Sequence, residues 1–119
     1  MRNGVLVVKF HLRISRVEQR RRFLERIEQP AKRWKFSLSD VMERRHWDRY
    51  MDAYEHMIRH TATPQAPWYV VPANNKWFAR LVVAAALVHT LEGLDLAFPK
   101  VEGKALRELQ KAKKALLAE

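Results

Sequence analysis

Two short runs of apolar, β-favouring residues, separated by a long helical pattern, constrain the fold of this chain most. The first is Val5-Leu-Val-Val-Lys-Phe-His, and the second is Trp68-Tyr-Val-Val, which ends at Pro72. Nearly continuous apolar runs are typical of parallel strands that are covered on both faces. We therefore predict strands at residues 5–11 and 68–72, joined by a helical crossover in a parallel α/β arrangement.

Helical signals occupy the segment between the two predicted strands. Ser15 stands three residues before Glu18, which is the arrangement of a capping box, and a helix over residues 16–28 follows. Ser37 repeats this signal at the start of a long amphipathic pattern over about residues 39–60. We predict two helices here, within a helical region that covers residues 16–60.

The region after the second strand, residues 75–117, predicts two further helices, of which the last covers 104–117. The first of them is apolar on every side from Leu81 to Val88, a pattern that requires cover all round. Two strands are also too few for a stable parallel sheet, because each leaves an edge and a face uncovered. We interpret residues 1–119 as a single incomplete domain, completed by another chain or by more of the same fold.

Positive charge is concentrated near the front of the chain. The formal net charge is +10, and residues 13–35 hold nine bases against three acids, whereas residues 61–99 are balanced. Seven of the nine bases are Arg, which is favoured for planar, bidentate capture of phosphate. This pattern favours a polyanion-binding surface over a solvated face. Charge alone leaves nucleic acid, inorganic polyphosphate and anionic lipid open as ligands.

Several function classes are excluded by missing motifs. The three glycines, Gly4, Gly93 and Gly103, stand too far apart for a Walker loop or a dinucleotide fingerprint. The sequence contains no Gly-x-Ser-x-Gly nucleophile elbow. It also has no cysteine, and no apolar run approaches the length of a membrane span. We therefore expect a cytoplasmic protein without a membrane partner.

Two groups of side chains leave alternatives open. His56 and His60, with Asp52 one turn earlier, share a helix face that would suit a metal ion, although a solvated polar face is the preferred interpretation. Trp34 and Phe36 are interleaved with bases. They would either stack on nucleobases or anchor the connecting segment to the core.

Four segments stand in a distinctive order and spacing: Glu18-Gln-Arg-Arg-Arg-Phe-Leu-Glu-Arg-Ile, Pro30-Ala-Lys-Arg-Trp-Lys-Phe-Ser, Trp47-Asp-Arg-Tyr-Met-Asp-Ala-Tyr-Glu and Ala66-Pro-Trp-Tyr-Val-Val-Pro-Ala-Asn-Asn-Lys-Trp. Together they resemble the C-terminal half of polyphosphate kinase family 2, over about residues 4–101. The resemblance implies part of a P-loop fold of the thymidylate-kinase type. It also implies phosphoryl transfer between inorganic polyphosphate and a nucleoside mono- or diphosphate, with Mg²⁺ as the cofactor of the full family enzyme.

The resemblance also implies roles for individual residues. Residues 16–47 would match the helical lid and its approaches, and its bases would hold polyphosphate through Arg22, Arg26, Lys32, Arg33 and Lys35. Asn74, Asn75 and Lys76 would lie near the nucleotide, although the family usually shows paired acids where this chain has the two asparagines. The family's Walker A loop and its magnesium-binding Asp precede the first strand, and this sequence lacks them.

We therefore predict the lid and sheet segment of a polyphosphate-dependent nucleotide phosphotransferase. The isolated chain is expected to be inactive, to contain no catalytic or metal-binding residue and to hold no Mg²⁺ by itself. The implied partners are polyphosphate, a nucleotide, and either further copies of the chain or a partner chain that carries the P-loop. The alternative is a noncatalytic module that binds polyanions or nucleic acid, and a self-associating structural remnant is a third interpretation.

Overall fold

The computed structural model describes residues 3–119, which form two compact units, one ending at Leu87 and the other beginning at Val88. The elements are β1 (Lys9–Arg13), α1 (Arg16–Glu28), a 3-10 helix (Pro30–Lys35), α2 (Leu38–Glu43), a 3-10 turn (Arg44–His46), α3 (Trp47–Thr61), β2 (Trp68–Pro72), α4 (Lys76–Glu92) and α5 (Gly103–Leu117).

The two strands pair in parallel, from Lys9 opposite Trp68 to Arg13 opposite Pro72, which confirms the predicted parallel sheet. The first strand begins later than predicted, at Lys9 rather than at residue 5. Since β2 begins only at Trp68, residues before Lys9 have no strand beside them, and the side chains of residues 5–7 are exposed. Pairing, and not apolar character, sets the start of this strand.

Helix α1 forms over the predicted residues because its first turn is capped locally. The Ser15 hydroxyl oxygen accepts a hydrogen bond from the Glu18 backbone N–H at 3.1 Å. This contact satisfies one of the free backbone N–H groups of the first turn. The start of α1 is therefore set by residues that are neighbours in sequence.

The predicted helix over residues 39–60 is interrupted, so residues 3–119 form five α-helices rather than about four. The Arg44 side chain donates to the Arg16 carbonyl at 3.1 Å and to Gln19 Oε1 at 2.8 Å, so it ties the turn between α2 and α3 to α1. Ser37 does not cap α2 through its side chain, since its hydroxyl lies 2.7 Å from the Ser39 hydroxyl. The amphipathic pattern alone does not reveal this break.

The core of the first unit lies between the sheet and α4. It consists of the buried residues Val71, Ala73 and Ala79, with Phe10, Ile14, Tyr69, Val82 and Val83 packed against them. The other sheet face meets α3, where the rings of His11 and Tyr54 are 4.7 Å apart. Among the described residues of α4, only Ala79 and Ala86 are buried. The all-round cover predicted for this helix is therefore not supplied by the part of the chain that the structure describes.

Helix α5 belongs to the second unit, and its side chains are exposed along its whole length. It begins at Gly103, whose positive φ of 59° suits glycine because that residue has no Cβ. Within residues 3–119, no helix has both the length and the apolar character needed to cross a bilayer.

Candidate anion-binding site

The carboxyl ends of the two strands meet at one edge of the sheet because the strands are parallel. β1 ends at Arg13 and β2 at Pro72, and the Ala73 N–H donates to the Arg13 carbonyl at 2.8 Å. In open α/β sheets, ligands bind outside the carboxyl ends of the strands. This edge, with the turn into α1 and the loop into α4, is therefore the candidate site.

Asn74 joins the two segments that follow the strands. Its side-chain oxygen accepts from the Ser15 backbone N–H at 2.9 Å, and its amide nitrogen lies 3.4 Å from the Ser15 hydroxyl. Asn75 stands directly before α4, and its carbonyl accepts from the Ala79 N–H at 3.1 Å. The structure thus places both asparagines at this edge, with the Asn74 side chain engaged in holding it together.

Arg22 fastens the same loop from the side of α1. Its guanidinium donates to the carbonyls of Ala73 at 2.7 Å and Asn74 at 3.0 Å, while its Nε donates to Glu18 at 2.9 Å. The side chain is only 23% exposed. In this arrangement, Arg22 supports the site, and its assignment to the polyphosphate track stays a prediction.

Arg13 and Arg16 are the cations that the edge presents to solvent. Both line a cavity of about 870 Å³, together with Ser15, Asn74 and Asn75 on its polar side and Trp47, Trp77 and Phe78 on its apolar side. Within the part of the chain that the structure describes, neither arginine has an ion-pair partner. They stand at the N-terminal end of α1, where the helix dipole also favours negative charge. The cavity therefore suits an anion.

Arg13 and Arg16 belong to the basic run over residues 13–35, but neither is among the predicted polyphosphate ligands. Their position in the sequence could have identified them as site residues. They flank Ser15, which caps α1 directly after a strand. A strand followed by a capped helix places cations beside the carboxyl end of a parallel sheet.

The other predicted polyphosphate ligands lie toward the C-terminal end of α1 and on the 3-10 helix that follows it. Lys32 is paired with Glu25, and Arg33 donates to the Ile27 carbonyl at 2.9 Å. Two cations lie over aromatic rings of their own segment, with Arg26 5.6 Å from the Phe23 ring and Lys35 5.0 Å from the Trp34 ring. Arg26 lies one turn beyond Arg22 on α1, and Lys32, Arg33 and Lys35 lie on the 3-10 helix that follows. The role of these four residues stays a prediction.

Glu25, the ion-pair partner of Lys32, also interacts with the first residue of α4. The hydrogen bond from Lys32 holds the pKa of Glu25 below its ordinary value, and the charge of Lys76 contributes to the same shift. Lys76, the third residue expected near the nucleotide, therefore lies close enough to Glu25 to interact with it. Its nucleotide contact stays a prediction.

Trp34 does not anchor its segment to the core, because its side chain is 78% exposed. Of the two interpretations given above, anchoring is therefore wrong for Trp34 in this chain. The indole, with the Lys35 ammonium over its ring, stays available for stacking.

The residues at the site do not fit Mg²⁺. This ion binds carboxylates, phosphates and water, whereas the edge presents guanidinium groups and side-chain amides. No group of three His, Asp or Glu side chains among residues 3–119 is placed to hold a metal ion. The rings of His56 and His60 stack 5.8 Å apart, but His60 Nδ1 lies 2.7 Å from the His56 carbonyl.

Glu18 makes the stability of the site dependent on pH. Hydrogen bonds from Arg21 and then Arg22 lower its pKa from 4.5 to about 2. A carboxylate with a lowered pKa in the folded state stabilises the fold above its unfolded pKa, and this stabilisation is lost as the pH falls. We expect the urea midpoint to decrease between about pH 4.5 and pH 2, and Glu18→Gln to make that decrease smaller.

Glu28→Gln is the matched control, because Glu28 lies on the same helix and its side chain forms no ion pair within the described residues. It should leave the pH dependence unchanged. An acid-induced decrease of equal size in the Glu18→Gln variant and in the unmodified chain would contradict this assignment.

Comparison with known proteins points to one family. The family model described as Polyphosphate kinase 2 matches residues 1–99. A Meiothermus ruber protein named AMP/ADP-polyphosphate phosphotransferase is 52% identical over 99 residues, which cover 83% of this chain and 37% of that protein. A Leptolyngbya boryana protein, described as an uncharacterized protein in the chlN 3′ region, is 50% identical over 117 residues, which cover 98% of this chain and 86% of that protein.

A solved structure gives the same result for the fold. The crystal structure of polyphosphate kinase 2 from Arthrobacter aurescens TC1 matches with a TM-score of 0.85 and 43% identity, over 98% of this chain and 40% of that one. The chain thus spans well under half the length of the phosphotransferase and the kinase that it matches.

Proposed function

The chain belongs to the polyphosphate kinase 2 family, and from this premise we propose that it supplies the lid and the closing strand of a polyphosphate:nucleotide phosphotransferase. The Meiothermus ruber relative is named for polyphosphate and for AMP and ADP. Those names support polyphosphate and a nucleotide as the ligands of this chain. Its own part in the reaction is to bind and orient phosphate groups.

The observation that carries this proposal is the pair Arg13 and Arg16 at the carboxyl edge of the sheet. Both face a cavity of about 870 Å³ without an ion-pair partner among the described residues. A guanidinium group matches two phosphate oxygens at once, so two neighbouring arginines suit successive phosphates of a polymer.

Replacing both arginines should weaken polyphosphate binding. Each hydrogen-bonded charge contact is worth roughly 1.5–3 kcal/mol, so the loss for Arg13→Gln with Arg16→Gln should be at least about tenfold in Kd. Titration calorimetry on the purified chain measures this change.

The matched control replaces Arg20 and Arg49 by Gln. Both are exposed and outside the cavity, so the net charge changes equally without loss of the site. Equal weakening by the two pairs would show that binding depends on net charge alone, and would contradict the site.

The exposed outer edge of β1 supports a further part of the proposal, that another chain completes the sheet. Within residues 3–119, β1 pairs only with β2, and Leu12 on β1 is 55% exposed. An unpaired strand edge is a template for a further strand. We propose that either another copy of this chain or a chain with a phosphate-binding loop supplies it.

One observation favours the second candidate function, a noncatalytic nucleic-acid module. Trp34, beside Lys35, is 78% exposed, and exposed aromatic rings among bases stack on unpaired nucleobases. Binding of single-stranded RNA that is tighter than binding of long polyphosphate at the same salt concentration would favour this module. Tighter binding of polyphosphate would favour the phosphotransferase role.

A further inference from the structure

Helix α5 lies outside the residues that the family model matches, which end at residue 99. Four of its bases, spaced three, four and three residues apart, form what we call the basic stripe: Lys104, Arg107, Lys111 and Lys114. We propose that the basic stripe is a second polyphosphate-binding surface, which takes a linear run of phosphates. This inference rests on the proposed function, because it takes polyphosphate as the ligand.

The geometry of α5 lines these cations up. Residues three or four apart occupy one face of an α-helix, so the stripe runs about 15 Å along the axis. All four side chains are exposed. Most apolar residues of the helix form a separate row on the other side: Ala105, Leu106, Leu109, Ala112, Leu116 and Leu117.

The stripe lowers the stability of its own helix. Like charges three or four residues apart repel each other, and Lys104 in the first turn opposes the helix dipole. No acid occupies that turn. Among the described residues, one ion pair involves the stripe, between Lys104 and Glu108 at 3.8 Å, and both of those side chains are largely exposed. A solvated helix usually interleaves charges of both signs, so this arrangement favours an external polyanion.

The position of the stripe favours a free polymer over a lipid surface. A helix that lies on a bilayer turns its apolar row toward the acyl chains. Because the basic stripe of α5 lies opposite that row, most of its cations would then point away from the headgroups. A phosphate polymer needs only an accessible row of cations, and the stripe provides one.

The experiment compares two double variants of the full chain that change the net charge equally. Arg107→Gln with Lys111→Gln removes the centre of the stripe, whereas Lys100→Gln with Lys113→Gln removes two cations that lie off it. Glutamine keeps a good helix propensity, and circular dichroism verifies the helix content. Binding of long-chain polyphosphate and of tripolyphosphate is measured over a range of salt concentrations.

We expect the stripe variant to bind long-chain polyphosphate more weakly, with the slope of log K against log salt reduced by about 2. Its binding of tripolyphosphate, which the sheet edge can hold, should not change. Equal effects of both double variants would overturn the proposal, since net charge would then explain them. Stripe-dependent binding to phosphatidylglycerol vesicles or to RNA at least as tight as that to polyphosphate would also overturn it.

The variants separate this inference from the proposed function. One outcome is that the Arg13 and Arg16 double variant binds tripolyphosphate more weakly, while the stripe variant binds both tripolyphosphate and long-chain polyphosphate as tightly as the unmodified chain does. The inference on α5 then fails, and the proposed function stands. If the stripe variant alone weakens binding, the sheet-edge site fails and the stripe is the polyphosphate surface.

Discussion

The purified chain, supplied with ADP, polyphosphate and Mg²⁺, is expected to form no ATP above the rate measured without protein. Phosphoryl transfer depends on backbone amides, a lysine and metal ions that position the phosphates and neutralise their charge. The three glycines of this chain are too far apart to build such a loop, and no acidic cluster within residues 3–119 holds a metal ion. In phosphoryl-transfer enzymes, a single arginine can raise kcat by about 10³ to 10⁵. We therefore expect no measurable turnover from a chain without both the phosphate-binding loop and the bound metal ions.

A luciferase assay measures the ATP formed, and the Meiothermus ruber relative, assayed in parallel, establishes that the conditions support transfer. The Arg13 and Arg16 double variant is the matched control for contamination. A trace kinase carried through purification would give the same signal with both chains. ATP formation that rises with the concentration of the unmodified chain and falls in the variant would contradict the prediction.

The local features of the fold could be predicted from the sequence. Ser15 and Glu18 cap α1 through a contact across three residues, so the pattern itself contains both partners. The two apolar runs predicted a parallel pair, and β2 forms over residues 68–72. The start of β1 could not be predicted, because it depends on where a strand far away in sequence begins. The break before α3 depends in the same way on Arg44, whose partner Gln19 lies 25 residues earlier.

The candidate site was predictable only in part. Charge counting indicated a basic surface, and the predicted end of the second strand at Pro72 put Asn74 directly after that strand. The nucleotide contact of Asn74 stays a prediction. A count of charges could not distinguish the cations that face solvent from those whose hydrogen bonds stabilise the fold. Arg22 is engaged with carbonyls about fifty residues later in the sequence, as its contact with Ala73 shows, whereas Arg13 and Arg16 stay accessible. Such a distinction depends on tertiary contacts.

Replacing Arg22 by Ala should destabilise the chain more than any other substitution of a basic residue on α1. Its guanidinium joins α1 to the loop after β2 through the Ala73 and Asn74 carbonyls, and it also pairs with Glu18. Its removal leaves those carbonyls without this donor in a part of the surface that is only partly open to water. Hydrogen bonds from charged groups contribute roughly 1.5–3 kcal/mol, so we expect a loss of about that size in the free energy of unfolding.

Urea denaturation followed by tryptophan fluorescence measures the loss, and Arg20→Ala provides the matched control. Arg20 is exposed on the same helix, and a surface substitution of this kind changes stability by about 0.5 kcal/mol or less. Arg22→Lys should fall between the two, because an ammonium keeps the charge but cannot reach both carbonyls and Glu18 in the planar geometry of a guanidinium. Equal stabilities of the Arg20 and Arg22 alanine variants would mean that the loop holds its position without Arg22, and would return this residue to the set of cations available for phosphate.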